Sequence, residues 1–360
     1  MKFNLKDDGI MFKMNKVMTA SLTAVLALGT LVPVVDAGAA SVKTASKSYR
    51  TSKTKSATTY AKKMMKANKN GLSTKAKIFS KSAYPTVGAA AGYSDFLLGL
   101  KKQGYKFTAS QKKLVKKNLV VSSKSDPATL ANAIIGLQAI GVNPTKYKPA
   151  GAKESMNLVS TLYKKSMNKQ TVNVQSTTLI AVSSNKTFKK PSKAAFSKSS
   201  LSLKIAKSQQ SNKGWAYNNT VASVDSDTTA VAVNALAMGK SKNKTVKAAA
   251  TAGRSYLKKA VYKSGAFGYT YNGKENANAN STAEAIIGLA TTKAAFKNIN
   301  KTALTSGQTA TPLRAMLSYV KSDGTVKDAF SMTLAYGQVS LAASAAHNGT
   351  YTNKLVYTFK

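Results

Sequence analysis

The 360-residue chain contains no cysteine and a single histidine, His347. Without cysteine the protein forms neither disulfide bonds nor thiolate metal sites. A zinc site built on an Asp/Cys/His ligand set is excluded with them, and one histidine, expected in an exposed terminal loop, gives no basis for a serine triad. We therefore expect no metal and no cofactor.

Acidic residues and arginines are also scarce, so lysine dominates the charge. The chain has 55 Lys and Arg against 12 Asp and Glu, a formal net charge of +43, and its only arginines are Arg50, Arg254 and Arg314. Lysine is a point charge on a flexible stem, whereas the arginine fork binds phosphate or carboxylate bidentately. A lysine coat predicts diffuse, salt-sensitive attraction to a polyanion, with a merely solvated surface as the alternative.

Long apolar runs are absent beyond the N-terminus. There, several lysines precede a mostly apolar segment, 17–35, which is followed by Ala37-Gly38-Ala39. This order predicts a secretory signal peptide over residues 1–39, with a membrane anchor as the alternative. We expect a secreted, cell-surface protein that meets anionic cell-wall polymer or a membrane surface, binds no specific nucleic acid and is monomeric.

The remaining chain divides into a short basic segment and a long repeat. Residues 40–56, rich in Ser, Thr and Lys, predict a flexible linker. Over residues 57–346, apolar segments recur at spacings of 48, 51, 53 and 52 residues, with equivalent positions at Leu130, Thr178, Thr229, Thr282 and Leu334. A sixth, shorter copy covers Tyr93–Leu100.

Lysine-rich amphipathic segments alternate with these apolar ones, which open on residues that favour helix N-caps. Helices that are apolar nearly all round must be buried on most sides, which a closed ring achieves better than an open solenoid. The pattern predicts an all-α (α/α)6 toroid of six inner and six outer helices, with their inner N-termini at one end. Residues 347–360 are left as a C-terminal tail.

Two loop motifs carry a family resemblance. Gln210-Ser-Asn-Lys-Gly214-Trp215, followed by Tyr217, resembles the Gln/Gly/Trp repeat of the terpenoid cyclase and prenyltransferase α/α-toroid superfamily. Gly265-Ala-Phe-Gly-Tyr269 resembles a second copy. The resemblance covers about residues 76–346 and implies the toroid fold.

Asp225-Ser-Asp227-Thr228-Thr229-Ala230 resembles the Asp-x-Asp-Asp-Thr-Ala motif of squalene–hopene-type cyclases. The resemblance implies that Asp227 is a general acid assisted by Asp225, although Thr228 replaces the third carboxylate and the inner helices are poor in aromatics. Helix capping is the alternative that the next repeat favours. Asn278 and Asn280 stand at the equivalent positions there, and asparagine caps a helix but is no acid.

Two further activities remain open. Other (α/α)6 barrels hydrolyse or cleave glycans with paired carboxylates, and Asp126, Asp225 and Glu275 are expected near one mouth of the ring. Cobalamin carriers resemble the same toroid but add a second domain, for which the tail is too short. Prenyltransferase activity is excluded with its zinc.

We expect a binding protein rather than an enzyme, with an unassigned small ligand in the mouth of the toroid. The candidate ligand-binding residues are the loop aromatics and the helix-start asparagines: Trp215, Tyr217, Phe267, Tyr269, Tyr271, Asn278 and Asn280. Packing of the aromatics between repeats is the alternative.

Overall fold

The computed structural model describes residues 41–66, 90–119, 121–149, 152–218, 220–271, 273–329, 331–346 and 355–359. The predicted signal peptide and His347 lie outside these residues. The helices, in chain order, are α1 (Lys47–Lys66), α2 (Ala90–Lys102), α3 (Ala109–Asn118), α4 (Pro127–Ala139), α5 (Leu158–Tyr163), α6 (Val172–Ser183), α7 (Lys198–Lys207), α8 (Ser226–Gly239), α9 (Lys244–Lys259), α10 (Ala279–Leu289), α11 (Lys293–Asn300), α12 (Pro312–Ser318) and α13 (Met332–Ala345).

Six of these helices form a closed ring. Each of α2, α4, α6, α8, α10 and α13 packs on the next, and α13 packs on α2. Their Ala, Ile, Leu and Val side chains are buried on nearly all sides. The predicted all-α toroid class is confirmed.

Glycines bring the first and last ring helices together. A Cβ on Gly337 would lie 2.6 Å from the backbone of Asp95 and Phe96, and one on Gly99 would lie 3.1 Å from the carbonyl oxygen of Gly337. The first distance is shorter than a side-chain carbon tolerates and the second is unusually tight, so α2 and α13 approach most closely at these two glycines. This close approach closes the ring.

The remaining helices lie outside the ring. In α9, Val246, Ala249 and Leu257 are buried while Lys244 and Lys247 are exposed, as an amphipathic surface helix requires. The outer layer departs from the predicted count, because two short helices, α11 and α12, stand between α10 and α13.

The segment predicted to be a flexible linker is largely helical. Helix α1 begins at Lys47 and packs on α12 and α13. Its buried face consists of Ala57, Ala61 and Met64, spaced four and three residues apart. The flexible-linker prediction is wrong for residues 47–56, because the buried residues that anchor this helix lie beyond the predicted linker and the helix extends back from them.

The ring helices start at one end, where polar side chains cap them. Asp126, Thr171, Asp225, Asn278 and Ser331 each accept a hydrogen bond from a backbone N–H of the first turn of α4, α6, α8, α10 and α13. Two antiparallel hairpins precede two of these starts: β1 (Trp215–Ala216) with β2 (Val224–Asp225), and β3 (Phe267–Tyr271) with β4 (Lys274–Asn278).

The end of the chain lies at the opposite end of the ring. The backbone N–H of Phe359 donates to the carbonyl of Ser184, which follows α6, at 2.7 Å. The hydroxyl of Thr358 donates to Sδ of Met238 in α8, and Lys101 of α2 lies over the Phe359 ring. Within the predicted tail, residues 355–359 are therefore packed onto the C-terminal ends of ring helices. None of the described helices combines the length and apolarity needed to cross a bilayer.

Candidate functional site

A cavity of about 360 Å³ lies on the axis of the ring, lined by residues from the N-termini of the ring helices to just beyond their midpoints. One stripe of each helix faces it, because residues four and three positions apart share a face. The second residues of α6, α8 and α10 form its outer layer: Asn173, Asp227 and Asn280. The sixth residues of α2, α4, α6, α8 and α10 form the middle layer: Asp95, Asn132, Thr177, Val231 and Glu284.

The ninth residues of α4, α6 and α8 form the deepest layer: Ile135, Ile180 and Asn234. Helix α13 adds Leu334 and Gln338, and the C-terminal segment adds Tyr357. Asp227 in the outer layer is exposed, whereas Tyr357 is buried, so the cavity opens at the helix N-termini. Nine of the 14 described lining residues are polar or charged, in a ring of otherwise apolar helices.

Three carboxylates, Asp95, Asp227 and Glu284, line this cavity. The chain has 12 acidic residues and three of them precede residue 40, so one third of the remaining nine are here. The described lining contains no lysine or arginine, although the protein carries a net charge of +43. The axis is therefore an acidic cavity inside a basic protein.

Burial favours the uncharged, protonated form of two of these carboxyl groups. It raises the pKa of Glu284 to about 8, with the charges of Asp95 and Asp227 acting in the same direction. Burial likewise raises the pKa of Asp95 to about 7. Hydrogen bonds from Gln338 Nε2 to Glu284 Oε1, at 2.7 Å, and from the Tyr357 hydroxyl to Asp95 Oδ1, at 3.0 Å, act against these shifts.

Asp225 and Asp227 have different roles. Asp225 caps α8, accepting from the backbone N–H of Thr228 at 2.6 Å and from its hydroxyl at 2.8 Å. Asp227 makes no such cap; its Oδ2 accepts from Ser281 of α10 at 3.0 Å, and its side chain is open to the cavity. The capping interpretation is correct for Asp225 and wrong for Asp227, because the helix starts between them.

Partial enclosure, together with the nearby charge of Asp225, raises the pKa of Asp227 to about 6. Water in the cavity reaches this carboxyl group, in contrast to Glu284, which is 7% exposed. Asp227 is thus the acidic group that a molecule entering the cavity meets first.

The two asparagines of the next repeat divide in the same way. Asn278 caps α10 by accepting from the backbone N–H of Ser281 at 2.8 Å. Asn280 faces the cavity and donates to Gln338 Oε1 at 2.5 Å, and Gln338 in turn donates to Glu284. Asn280 thus lines the cavity, where its ligand-binding role stays a prediction, while Asn278 is a structural cap.

The predicted aromatic lining is not found in the cavity. Trp215 and Phe267 are fully buried, and Trp215 Nε1 donates to the carbonyl of Ile205 in α7 at 2.7 Å. Both side chains pack between helices, which agrees with the alternative that the aromatics pack between repeats. Tyr217 and Tyr269 are exposed on the hairpins, at 56% and 53%, and the side chain of Tyr271 lies outside the described residues.

The carboxylates proposed for glycan cleavage are also not grouped in the cavity. Asp126 caps α4 and Glu275 is exposed on β4. Among the residues that the structure describes, no three acidic or histidine side chains are placed to hold one metal ion. The cavity carboxylates are therefore spread around the axis.

Sequence patterns missed Asp95, Glu284, Asn234 and Tyr357. Glu284 carries the clearest signal, since it is a carboxylate within the apolar segment Ala279–Leu289. Asp95 occupies the equivalent sixth position of α2, which a register alignment of the copies could have revealed. Tyr357 comes from the presumed tail and has no such signal.

No protein-family model and no curated protein matches the chain. Among solved structures, the chain is similar to an apo variant of the type II terpene cyclase MstE from Scytonema. The TM-score is 0.49 and the identity 11%, over 83% of this chain and 97% of that chain. The likeness concerns the path of the backbone and says nothing about the side chains in the cavity.

Proposed function

We propose that the protein is a secreted, non-enzymatic binding protein whose axial cavity holds a small polar ligand and whose lysines hold it on an anionic cell surface. The observation that carries the first part is the polar lining of the cavity. Buried polar groups cost free energy unless they are paired. A ring that needed only to fold would fill its axis with the Ala, Ile and Leu that make up the rest of these helices.

The size and chemistry of the cavity favour binding over carbocation chemistry. About 360 Å³ lies within the range of small-molecule sites. Stabilising a carbocation calls for aromatic faces. Among the described lining residues Tyr357 is the one aromatic, and its hydroxyl is engaged with Asp95.

Two features of the surface support attachment by charge. In the part of the chain that the structure describes, an ion pair joins Lys327 to Asp328 at 3.8 Å and is exposed on both sides. With 55 basic residues against 12 acidic ones, most of the positive charge has no carboxylate to pair with. A surface cavity of about 450 Å³ beside α1 is lined by Lys47, Arg50, Lys55 and Lys62 together with threonine hydroxyls, a surface suited to an anionic polymer.

Native mass spectrometry of the protein purified from its own source tests the cavity. We expect a small molecule bound to the wild type and to the Asp225→Asn variant, which keeps a capping side chain. We expect it to be lost from the double variant Asp227→Asn, Glu284→Gln. A wild-type protein that carries nothing and captures nothing from a metabolite extract would contradict the proposal.

A general-acid enzyme is the second candidate, and the position of Asp227 favours it. This carboxyl group faces the cavity, and with its pKa raised to about 6 it carries a proton in mildly acidic solution, as a general acid must. Incubation with polyprenoid alkenes, followed by product analysis, distinguishes the two candidates. A cyclised product that forms with wild type and not with Asp227→Asn would establish the enzyme.

A further inference from the structure

We propose that the cavity binds an aliphatic diamine or polyamine, with ammonium groups on Asp227, Glu284 and Asp95 and the methylene chain along the apolar residues between them. This inference deepens the proposed function and rests on it, since it names the class of ligand. Four observations carry it.

The first observation is the balance of charge within the cavity. Carboxylates project from α2, α8 and α10, while α4, α6 and α13 contribute neutral amides and a hydroxyl. The described lining residues include no cation that could pair with Asp95, Asp227 or Glu284. A cationic ligand supplies the missing partners, and charge-assisted hydrogen bonds to carboxylates are stronger than neutral ones.

The second observation is an amide without a partner. Asn234, in the deepest layer, is 3% exposed, and its buried Oδ1 has no hydrogen-bond partner within the described residues. Oδ1 of Asn173, also in the lining, is unpaired there as well. Unpaired buried acceptors are costly, so both call for a ligand that donates. This need is independent of the carboxylates.

The third observation is the spread of the carboxylates, which argues against a single metal ion. No described trio of acidic groups converges on one point. Asp227 is the second residue of its helix and Glu284 the sixth, a difference of about 6 Å along the axis at 1.5 Å per residue. An extended molecule with separated ammonium groups fits this spacing, whereas a point charge does not.

The fourth observation is the set of apolar side chains among the polar ones. Ile135, Ile180 and Val231 line the middle and deepest layers, and Leu334 lies on the facing helix α13. A sugar would leave hydroxyl groups against these side chains, at a cost in unpaired donors and acceptors. The methylene chain of an amine places apolar surface there instead.

Binding is then coupled to proton release. The titratable groups at the cavity are Asp95, Asp227, Glu284 and Tyr357, with Asp225 and Tyr262 close to Asp227. The carboxyl groups hold protons near neutral pH, and an ammonium group favours their ionised forms. Affinity therefore rises with pH between about 5 and 8, as Asp227, Asp95 and Glu284 ionise.

Titration calorimetry with spermidine and putrescine tests the inference, with butanediol as the uncharged analogue of putrescine. We expect saturable amine binding with proton release, shown by a heat that depends on the ionisation enthalpy of the buffer. Butanediol should not bind. Asp227→Asn and Glu284→Gln should each weaken spermidine binding by about tenfold or more, while the control variant Glu275→Gln, at an exposed position of β4, should leave it unchanged.

The outcomes distinguish failure of the amine inference from failure of the proposed binding function, provided that circular dichroism shows that the variants are folded. Absence of amine binding, equal binding of butanediol, or equal effects of cavity and control variants would overturn the amine inference. If the native protein still yields a neutral ligand that the cavity variants lose, the proposed binding function stands and only the ligand class is wrong. If no ligand is recovered either, both fail.

Discussion

At the residue scale, a shift of two positions separates a helix cap from a cavity side chain. Asp225 and Asn278 satisfy backbone N–H groups at the starts of α8 and α10. Asp227 and Asn280, two residues later, project to the axis. The replacement of Asp by Asn between the two repeats thus preserves the cap in both and changes a charge that faces the cavity.

This division predicts opposite effects on stability. Asp225→Ala should lower the free energy of unfolding by about 1 kcal/mol through loss of the cap, and Asp225→Asn should restore most of it. Asp227→Asn should leave stability unchanged or raise it, because it removes a carboxylate whose charge is disfavoured by its surroundings. Urea denaturation at pH 7 measures all three. A loss for Asp227→Asn as large as that for Asp225→Ala would contradict the assignment.

Glu284 predicts a pH dependence whose sign is fixed by its raised pKa. Its pKa rises from 4.5 to about 8 on folding, so the folded state holds a proton that the unfolded state releases. The stabilising contribution is full below about pH 4.5 and is lost as pH rises to about 8, on the order of a few kcal/mol. Glu284→Gln should flatten the decline in Tm between pH 5 and 8. A wild-type Tm that rises over this range, with no change in the variant, would refute it.

At the scale of elements, Trp215 wedges between helices instead of facing a ligand. Gly253 of α9 lies against it: a Cβ there would come within 2.5 Å of the indole ring and 2.7 Å of Val233. The aromatic repeat motif therefore serves to pack an outer helix against the ring. The β1–β2 hairpin that carries Trp215 also ends in the cap of α8.

Gly253→Ala should destabilise the protein by about 1–3 kcal/mol through overpacking, despite the better helix propensity of alanine. Gly136→Ala in α4 is the matched control, since its Cβ would meet its nearest neighbours at 3.7 Å, an ordinary contact. That variant should be neutral or slightly stabilising. Equal unfolding midpoints for the two variants would show that the Trp215 contact is looser than described.

The sequence predicts the ring helices well and the cavity poorly, for a physical reason. A helix that is apolar nearly all round must be buried, so the existence of α4, α8 and α10 follows from composition. Which stripe of each helix faces the axis depends on how the helix is rotated against its neighbours. The local sequence does not encode this rotation. The sequence therefore does not single out Asp95 and Glu284 as cavity residues, whereas it predicts the fully buried Trp215 as a ligand residue. The first half of α1, residues 47–56, is predicted as a linker because it contains no apolar stripe.

At the scale of the whole molecule, the charges are divided between surface and axis. The described lysines lie on the outer helices, in loops and at the C-terminal end of α2, and the ring encloses acidic and amide side chains. Such a division suits a protein that is held on a polyanion by its outside while its inside takes a different, cationic or donor-rich molecule. The two proposed functions involve different residues and can be tested separately.

Attachment by diffuse charge predicts a steep salt dependence. Protein bound to cells or to isolated anionic wall polymer at low salt should be released by ~1 M NaCl, at which the screening length is about 3 Å. Neutralising Lys47, Lys55 and Lys62 on α1 should lower the salt concentration needed to release the protein, without affecting ligand binding in the cavity. Retention in high salt would show that attachment does not depend on charge.

The most direct test of the acidic cavity is an NMR titration of its carboxyl groups, with resonances assigned through Asp95→Asn, Asp227→Asn and Glu284→Gln. The structure predicts pKa values of about 7 for Asp95, about 6 for Asp227 and about 8 for Glu284, which a bound ligand cation lowers. Titration of all three near the ordinary value of about 4, unchanged by any ligand, would mean that these side chains stand in open water and that the ring encloses no binding site.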